Sequence, residues 1–171
     1  ISWSEHSNPG IKYFSGTATY FTQIDIPSEI LLEKYRNVLD LGNVQVIAEV
    51  LINGKSLGIL WKKPFMVDVT PFLRHGVNNL KIRVANLWIN RLIGNQQYSE
   101  DCEWTSETGT TANGLGLKKI PEWVVNNTTR PSTKRKLFVA WKWPHLEKKK
   151  LLASGLLGPV RIITDIKIKI S

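Results

Sequence analysis

The sequence has a single cysteine and no long apolar run. One cysteine, Cys102, cannot form an internal disulfide, so cysteine usage does not distinguish the cytosol from a bacterial periplasm. No apolar stretch approaches the roughly 20 residues that cross a bilayer, and we therefore expect no membrane insertion. The first ten residues lack a methionine, a basic segment and an apolar segment, so they match neither a signal peptide nor a translation start. We expect residues 1–171 to be a single domain excised from a longer protein.

Acidic residues are in the minority, and the formal net charge is +9. Much of the positive charge lies in two short runs, at residues 134–136 and 148–150. A basic patch is typical of nucleic-acid binding, but no helix-turn-helix, RRM, KH or zinc-finger pattern accompanies it. We interpret the two runs as solvated loop tips and expect no nucleic-acid partner. An acidic ligand, such as a uronate-containing polysaccharide, is the alternative.

The sequence contains no self-contained catalytic constellation and no metal-binding motif. Its most enzyme-like feature is an acidic loop, since a glycosidase needs two carboxylates roughly 5–9 Å apart, but proximity in sequence does not fix that geometry. Calcium is an open alternative for the loop, although EF-hand spacing is absent. The three histidines lie far apart and lack metal spacing, so we predict no catalytic residue, no metal and no cofactor. The acidic loop consists of Glu100, Asp101, Glu103 and Glu107.

Apolar and polar residues alternate with a period of two along much of the chain, which is the signature of half-buried strands. Asn53-Gly54 between two such segments predicts a tight hairpin. A helical turn or two is expected only over 28–36, after Pro27, and polar loops are expected over 95–119 and 126–135. The predicted strands are 16–27, 37–41, 44–52, 56–60, 65–69, 80–84, 136–141, 160–164 and 165–170. Many short strands without alternating helices predict an all-β fold, an antiparallel β-sandwich.

Tryptophan is abundant, with seven residues, and five of them fall at predicted strand ends or in loops. A loop aromatic can stack on the apolar face of a sugar while neighbouring polar groups bond its hydroxyls. The alternative is that these side chains cover the ends of the sandwich beneath the long loops. The five are Trp61, Trp88, Trp104, Trp123 and Trp143.

Four blocks of sequence together resemble a known domain. They are YFSGTATYFTQIDIP (13–27), LDLGNVQVIAEVLINGKSLGILWKKPFMVDVT (39–70), GVNNLKIRVANLWINRLIG (76–94) and SGLLGPVRI (154–162). In this order they resemble the galactose-binding-like jelly roll of large glycoside hydrolases, known as the sugar-binding domain of family 2. They are most similar to the C-terminal β-domain of family 106 α-L-rhamnosidases.

The resemblance implies a galactose-binding-domain-like jelly roll that serves as a non-catalytic carbohydrate-binding or structural accessory module. Its partners would be carbohydrate, the catalytic domain of its own chain, or both. It also implies a bacterial parent enzyme in the periplasm or outside the cell, whose catalytic carboxylates belong to a separate barrel domain. The family often has Asp where this chain has Asn95. A free-standing hydrolase using the 100–107 loop, or a module for protein or acidic polymers, are the alternatives.

The stretch ANLWINRLIG (85–94) follows a predicted strand and has two interpretations. It ends the strand and anchors the 95–119 loop, with the Arg91 guanidinium as the fixing group. Alternatively, Trp88, Asn90 and Arg91 form the floor of a sugar site. Under the second interpretation, the sugar-binding residues are these three together with Trp61 and Trp104.

Overall fold

The structure, a computed structural model, describes residues 1–98, 102–105, 115–131, 141–142 and 146–168. The chain forms two compact units. The first unit comprises Ile1–His6, Ser15–Leu87 and Ala153–Ser171, and the second comprises Ser7–Phe14 and Trp88–Leu152. That the whole chain behaves as one domain stays a prediction.

The described residues form eleven strands and three short α-helices. The strands are β1 Thr17–Ile26, β2 Tyr35–Asp40, β3 Asn43–Gln45, β4 Ile47–Ile52, β5 Lys55–Leu60, β6 Met66–Asp68, β7 Gly76–Ala85, β8 Leu115–Gly116, β9 Trp141–Lys142, β10 Gly155–Gly158 and β11 Arg161–Ile166. The helices are α1 Pro9–Lys12, α2 Ile89–Asn95 and α3 Glu122–Val125. Single 3₁₀ turns occur at Trp3–Glu5, Ser28–Leu31, Thr70–Phe72 and Leu146–Lys148.

The first unit is built from antiparallel sheets. One sheet has the strand order β1-β7-β4-β5, another has the order β11-β2-β6, and β10 pairs with β3. Buried residues of both larger sheets belong to one core, which confirms the predicted all-β antiparallel sandwich. The core residues are Leu39, Leu41, Val44, Ala48, Val50, Ile52, Phe65, Val69, Leu80, Ile82 and Val84.

Strand alternation places the core as predicted. On β7, Leu80, Ile82 and Val84 are buried, whereas Lys81 and Arg83 between them are exposed. A one-residue slip would exchange the two sets, so the burial of the apolar set fixes the register with β1 and β4.

The predicted Asn53-Gly54 hairpin is present. Both residues have positive φ, 50° and 83°, as the tight hairpin turn requires, and Ile52 pairs with Lys55 across it. The Asn53 amide nitrogen donates to Oδ1 of the fully buried Asn78 at 2.8 Å. The turn is therefore tied to the start of β7 as well as to its own strands.

Several predicted boundaries are wrong. The single strand expected over 44–52 is two strands, because β3 pairs with β10 while β4 pairs with β7. The helix expected over 28–36 is one 3₁₀ turn, since β2 begins at Tyr35. The strands expected over 160–164 and 165–170 are one strand, which ends at Ile166. Most of 136–141 lies outside the described residues.

The N-terminal segment is pinned to the sandwich by Trp3. Its backbone N–H donates to the Ser154 carbonyl at 3.0 Å, and its indole N–H donates to the Tyr20 hydroxyl at 2.6 Å. Gly155 has φ +97°, and a Cβ there would lie 2.5 Å from the Trp3 indole nitrogen. Glycine is therefore required at 155 both by conformation and by space.

We predict that Gly155→Ala lowers the free energy of unfolding by about 3 kcal/mol, through positive φ and a collision with Trp3. Gly54→Ala is the matched control, because its φ is also positive but its Cβ would meet nothing within 4 Å. The control should cost only about 1 kcal/mol. Urea unfolding of the 171-residue chain measures both. Equal losses would contradict the packing of Trp3 on Gly155.

Candidate carbohydrate-binding surfaces

The stretch ANLWINRLIG does end a strand, since β7 stops at Ala85, but it then forms the helix α2. Trp88 is the N-cap residue of α2. The closing Gly94 is buried, and a Cβ there would lie 2.5 Å from the Tyr13 ring. Gln97 just beyond the helix donates its amide to the Tyr13 hydroxyl at 2.5 Å. Glycine is therefore needed at position 94 for the Tyr13 ring to pack on α2.

Asn90 has a structural role in the second unit. It is 2% exposed, and its amide nitrogen donates to the Leu152 carbonyl at 2.7 Å. The Leu152 N–H donates to the Asn90 Oδ1 at 2.8 Å. The Asn90 side-chain amide thus bonds both the N–H and the carbonyl of Leu152, as a neighbouring strand would. It holds the backbone at Leu152 and does not face solvent.

Trp88 and Arg91 are both exposed at the start of α2. Trp88 is 71% exposed, Arg91 is also exposed, and the three-residue spacing puts them on the same side of the helix start. The Arg91 guanidinium has no ion-pair partner within the described part of the chain. Asn90, not Arg91, makes the hydrogen bonds that anchor a segment here, and that segment is Leu152 rather than the 95–119 loop. Asn95, at the end of α2, is buried.

Trp104 lies in a short antiparallel ladder of the second unit. It pairs with Leu117, and the Lys118 N–H donates to the Glu103 carbonyl at 2.9 Å. A pocket of about 460 Å³ opens beside this ladder, within the size range of small-molecule sites. It is lined by Cys102, Glu103, Lys119, Ile120, Pro121, Glu122 and Trp123. We call it the Trp123 pocket.

The Trp123 pocket combines an aromatic ring with charges of both signs. The Arg130 guanidinium carbon lies 5.0 Å from the Trp123 ring centroid. Lys119 pairs with Glu122 at 3.3 Å, and Lys118 pairs with Glu103 at 3.3 Å. These ion pairs are largely exposed, so each contributes little and its groups are able to exchange partners with a ligand.

Of the predicted acidic loop, Glu103 is described and is paired with Lys118. Glu100, Asp101 and Glu107 lie outside the described residues. Across the described ranges, no three His, Cys, Asp or Glu side chains are grouped so that they could hold a metal. No helix within the same ranges is long and apolar enough to cross a membrane.

Trp61 lies in the first unit, in the connection from β5 to β6. It is 66% exposed, and the Lys62 Nζ lies 5.3 Å from its ring centroid. A groove of about 560 Å³ runs along the same connection. It is lined by Asp40, Gly42, Asn43, Lys63, Pro64, Phe65 and Met66, and we call it the Lys63 groove.

The five predicted sugar-binding residues belong to three different elements, and their role as one sugar site stays a prediction. Trp88, Asn90 and Arg91 share α2, Trp104 lies in a separate ladder of the second unit, and Trp61 belongs to the first unit. Sequence reasoning placed Trp123 among the loop aromatics but missed its pocket and Arg130. The available signal was Pro121-Glu122 just before Trp123, which is a helix-start pattern in a polar segment.

Comparisons with known proteins show which proteins contain a similar segment. No protein-family model matches the chain. It is 48% identical over 162 residues to a protein of Formosa agariphila named "Putative beta-glucuronidase", covering 94% of this chain and 13% of that protein. The solved rhamnosidase of Novosphingobium sp. matches 96% of this chain and 12% of its own, with a TM-score of 0.64 and 31% identity. A beta-glucuronidase of an uncultured Clostridium sp. matches 50% of this chain, with a TM-score of 0.45 and 27% identity.

The chain resembles a domain of large glycoside hydrolases. This confirms the resemblance predicted from the four sequence blocks. The chain spans only about one eighth of the length of these two relatives.

We predict that Asn90→Ala lowers the free energy of unfolding by about 2 kcal/mol, because it leaves the backbone groups of Leu152 without their partner. The adjacent exposed Arg91→Ala should change it by no more than about 0.5 kcal/mol. Hydrogen exchange of the Leu152 amide, measured beside urea unfolding, should accelerate in the first variant alone. A larger effect of Arg91→Ala would instead make Arg91 the anchor.

Proposed function

We propose that this chain is a non-catalytic glycan-recognition module of a larger glycoside hydrolase, α-L-rhamnosidase-like and acting on plant or other complex polysaccharide. The Trp123 pocket is the observation that carries the proposal. In addition, nearly the whole chain matches a short segment of a rhamnosidase and of a protein named as a glucuronidase. The parent enzyme is proposed to be bacterial and to work in the periplasm or outside the cell.

The Trp123 pocket has the groups that sugar recognition needs. The indole offers an apolar face for the C–H surface of a pyranose ring. Glu103 and Glu122 can accept hydrogen bonds from sugar hydroxyls, and the Lys119 ammonium can donate to sugar oxygens. The open, largely exposed pocket suits one or two residues of a polymer that passes across it.

The same carboxylates are poorly suited to catalysis. The Glu103 and Glu122 side chains are 70% and 79% exposed, and each pairs with a lysine. A general acid of a glycosidase is a carboxyl that burial keeps protonated. A role in substrate binding therefore fits them better than proton transfer.

Contact with the catalytic domain of its own chain is a second proposed role. Phe21 on β1 and Ile59 on β5 project from the four-stranded sheet and are 61% and 63% exposed. Singly exposed apolar residues are ordinary on a protein surface, so this role is supported mainly by the match of nearly the whole chain to a short segment of longer glycoside hydrolases.

Rhamnose-containing and uronate-containing oligosaccharides, titrated by calorimetry, should bind the chain. Trp123→Ala should weaken binding by about tenfold, because it removes the stacking surface. Val125→Ala is the matched control, since Val125 is an exposed residue of the same helix that does not line the pocket. The control should bind as the unaltered chain does.

Two outcomes contradict the proposal. One is the absence of binding to every oligosaccharide at millimolar concentration, which would leave only the domain-contact role. The other is release of reducing sugar by the chain alone. Glu103→Gln with Glu107→Gln would then show whether the acidic loop performs that hydrolysis.

A further inference from the structure

The Lys63 groove is a second concave surface, built by residues of the first unit alone. One wall is the end of β2 and the turn into β3, which contribute Asp40, Gly42 and Asn43. The other wall is the connection before β6, which contributes Lys63 and Pro64. No sequence feature marked this groove, because its walls come from separate parts of the chain.

The groove walls are fixed by the sandwich core. Phe65 is 4% exposed, and its carbonyl accepts a hydrogen bond from the buried Leu41 at 2.9 Å, which joins the two walls. On the β2 side, Gly42 has φ +63°, and a Cβ there would lie 2.6 Å from the Gly158 backbone. The groove is therefore a preformed feature, with Phe65 directed inward.

Some polar groups of the groove are hydrogen-bonded within the protein, and others have no partner among the described residues. Asp40 accepts hydrogen bonds from the Gly42 N–H at 2.8 Å and from the Arg161 guanidinium at 3.2 Å. The Asn43 Oδ1 accepts from Gln45 at 3.0 Å, and its amide nitrogen has no acceptor among the described residues. The Lys63 ammonium makes no hydrogen bond or ion pair with any residue in the described ranges.

Positive charge dominates around the groove. Lys63 lines it, Lys62 precedes it, and Arg161 bonds the Asp40 carboxylate, so three cations accompany one anion. Trp61, two residues before Lys63, adds an exposed indole. An aromatic face, an amide donor and a surplus ammonium group match a sugar that carries an acid group.

We propose that the Lys63 groove binds an anionic sugar residue. The acid group pairs with Lys63, ring hydroxyls bond Asp40 and Asn43, and the ring face lies on Trp61. The groove is lined by residues of the first unit and the Trp123 pocket by residues of the second. The inference adds a negative charge on the ligand to the proposed function.

Three probes that share one ring test the charge: D-glucuronic acid, D-glucose 6-sulfate and D-glucose. Titration followed by ¹H–¹⁵N NMR should shift the amides of Asn43 and Lys63 and the indole N–H of Trp61. At least one acid should bind about fivefold more tightly than glucose, as expected for one partly exposed ion pair. The stronger of the two acids identifies a carboxylate or a sulfate as the preferred group.

Lys63→Met should reduce the binding of the preferred acid to that of glucose, because it keeps the aliphatic stem and removes the charge. Lys55→Met, at the exposed Asn53-Gly54 hairpin, is the matched control and should keep the preference. Trp61→Ala should weaken the binding of all three probes by about tenfold.

Equal binding of glucose and both acids would overturn the inference. So would a preference that survives Lys63→Met, or one that Lys55→Met removes equally, since the latter would report net charge alone. The proposed function is tested separately, because Trp123→Ala alters only the second unit. If Lys63→Met abolishes the amide shifts caused by the acid and Trp123→Ala leaves them unchanged, the acid binds at the Lys63 groove. The opposite result assigns the binding to the Trp123 pocket.

Discussion

The structure of the first unit depends on β7, which pairs with β1 on one side and with β4 on the other. Its buried residues Leu80, Ile82 and Val84 supply the middle of the core, and each pairs with a neighbour on both adjacent strands. A strand held on both edges cannot slip without exposing its whole apolar set. The hairpin at Asn53, which bonds Asn78 and Asn79, fixes the same register from the turn end. The connection that carries Trp61 and Lys63 begins at the end of β5, which pairs with β4 of the same sheet, and its Phe65 belongs to the core.

The parts of the fold predictable from sequence are those in which one local pattern decides the outcome. Alternation in 80–84 and the Asn53-Gly54 dipeptide gave β7 and the hairpin, because side-chain period and positive φ are properties of the segment itself. The break between β3 and β4 could not be predicted, since the two strands differ only in their partners, β10 and β7. The helix α2 was hidden for another reason: Ile89, Leu92 and Ile93 have helical spacing, but over a single turn or two.

The candidate surfaces were less predictable than the fold. The type of a residue determines which hydrogen bonds and ion pairs its side chain can make. Its neighbours in the fold determine whether those groups are free to bind a ligand. Asn90 looked like a ligand group, yet its amide is bonded to Leu152, 62 residues later in the chain. Lys63 belongs to no motif in the sequence, yet it lines a groove with Asp40 and Asn43. Both outcomes depend on long-range contacts that a single sequence does not encode locally.

Under the proposed function, shallow sites are an advantage rather than a defect. Exposed ion pairs and a half-open aromatic face give weak binding, because little surface is buried and water competes for every polar group. A polymer presents many equivalent sugar residues, and a module joined to a catalytic domain raises their effective concentration near the enzyme. Tight binding would slow release of the cleaved chain, so a hydrolase gains more from weak contacts that exchange quickly. The mostly exposed Trp61 and Trp88, and the exposed ion pairs beside Trp123, are the features expected of contacts of that kind.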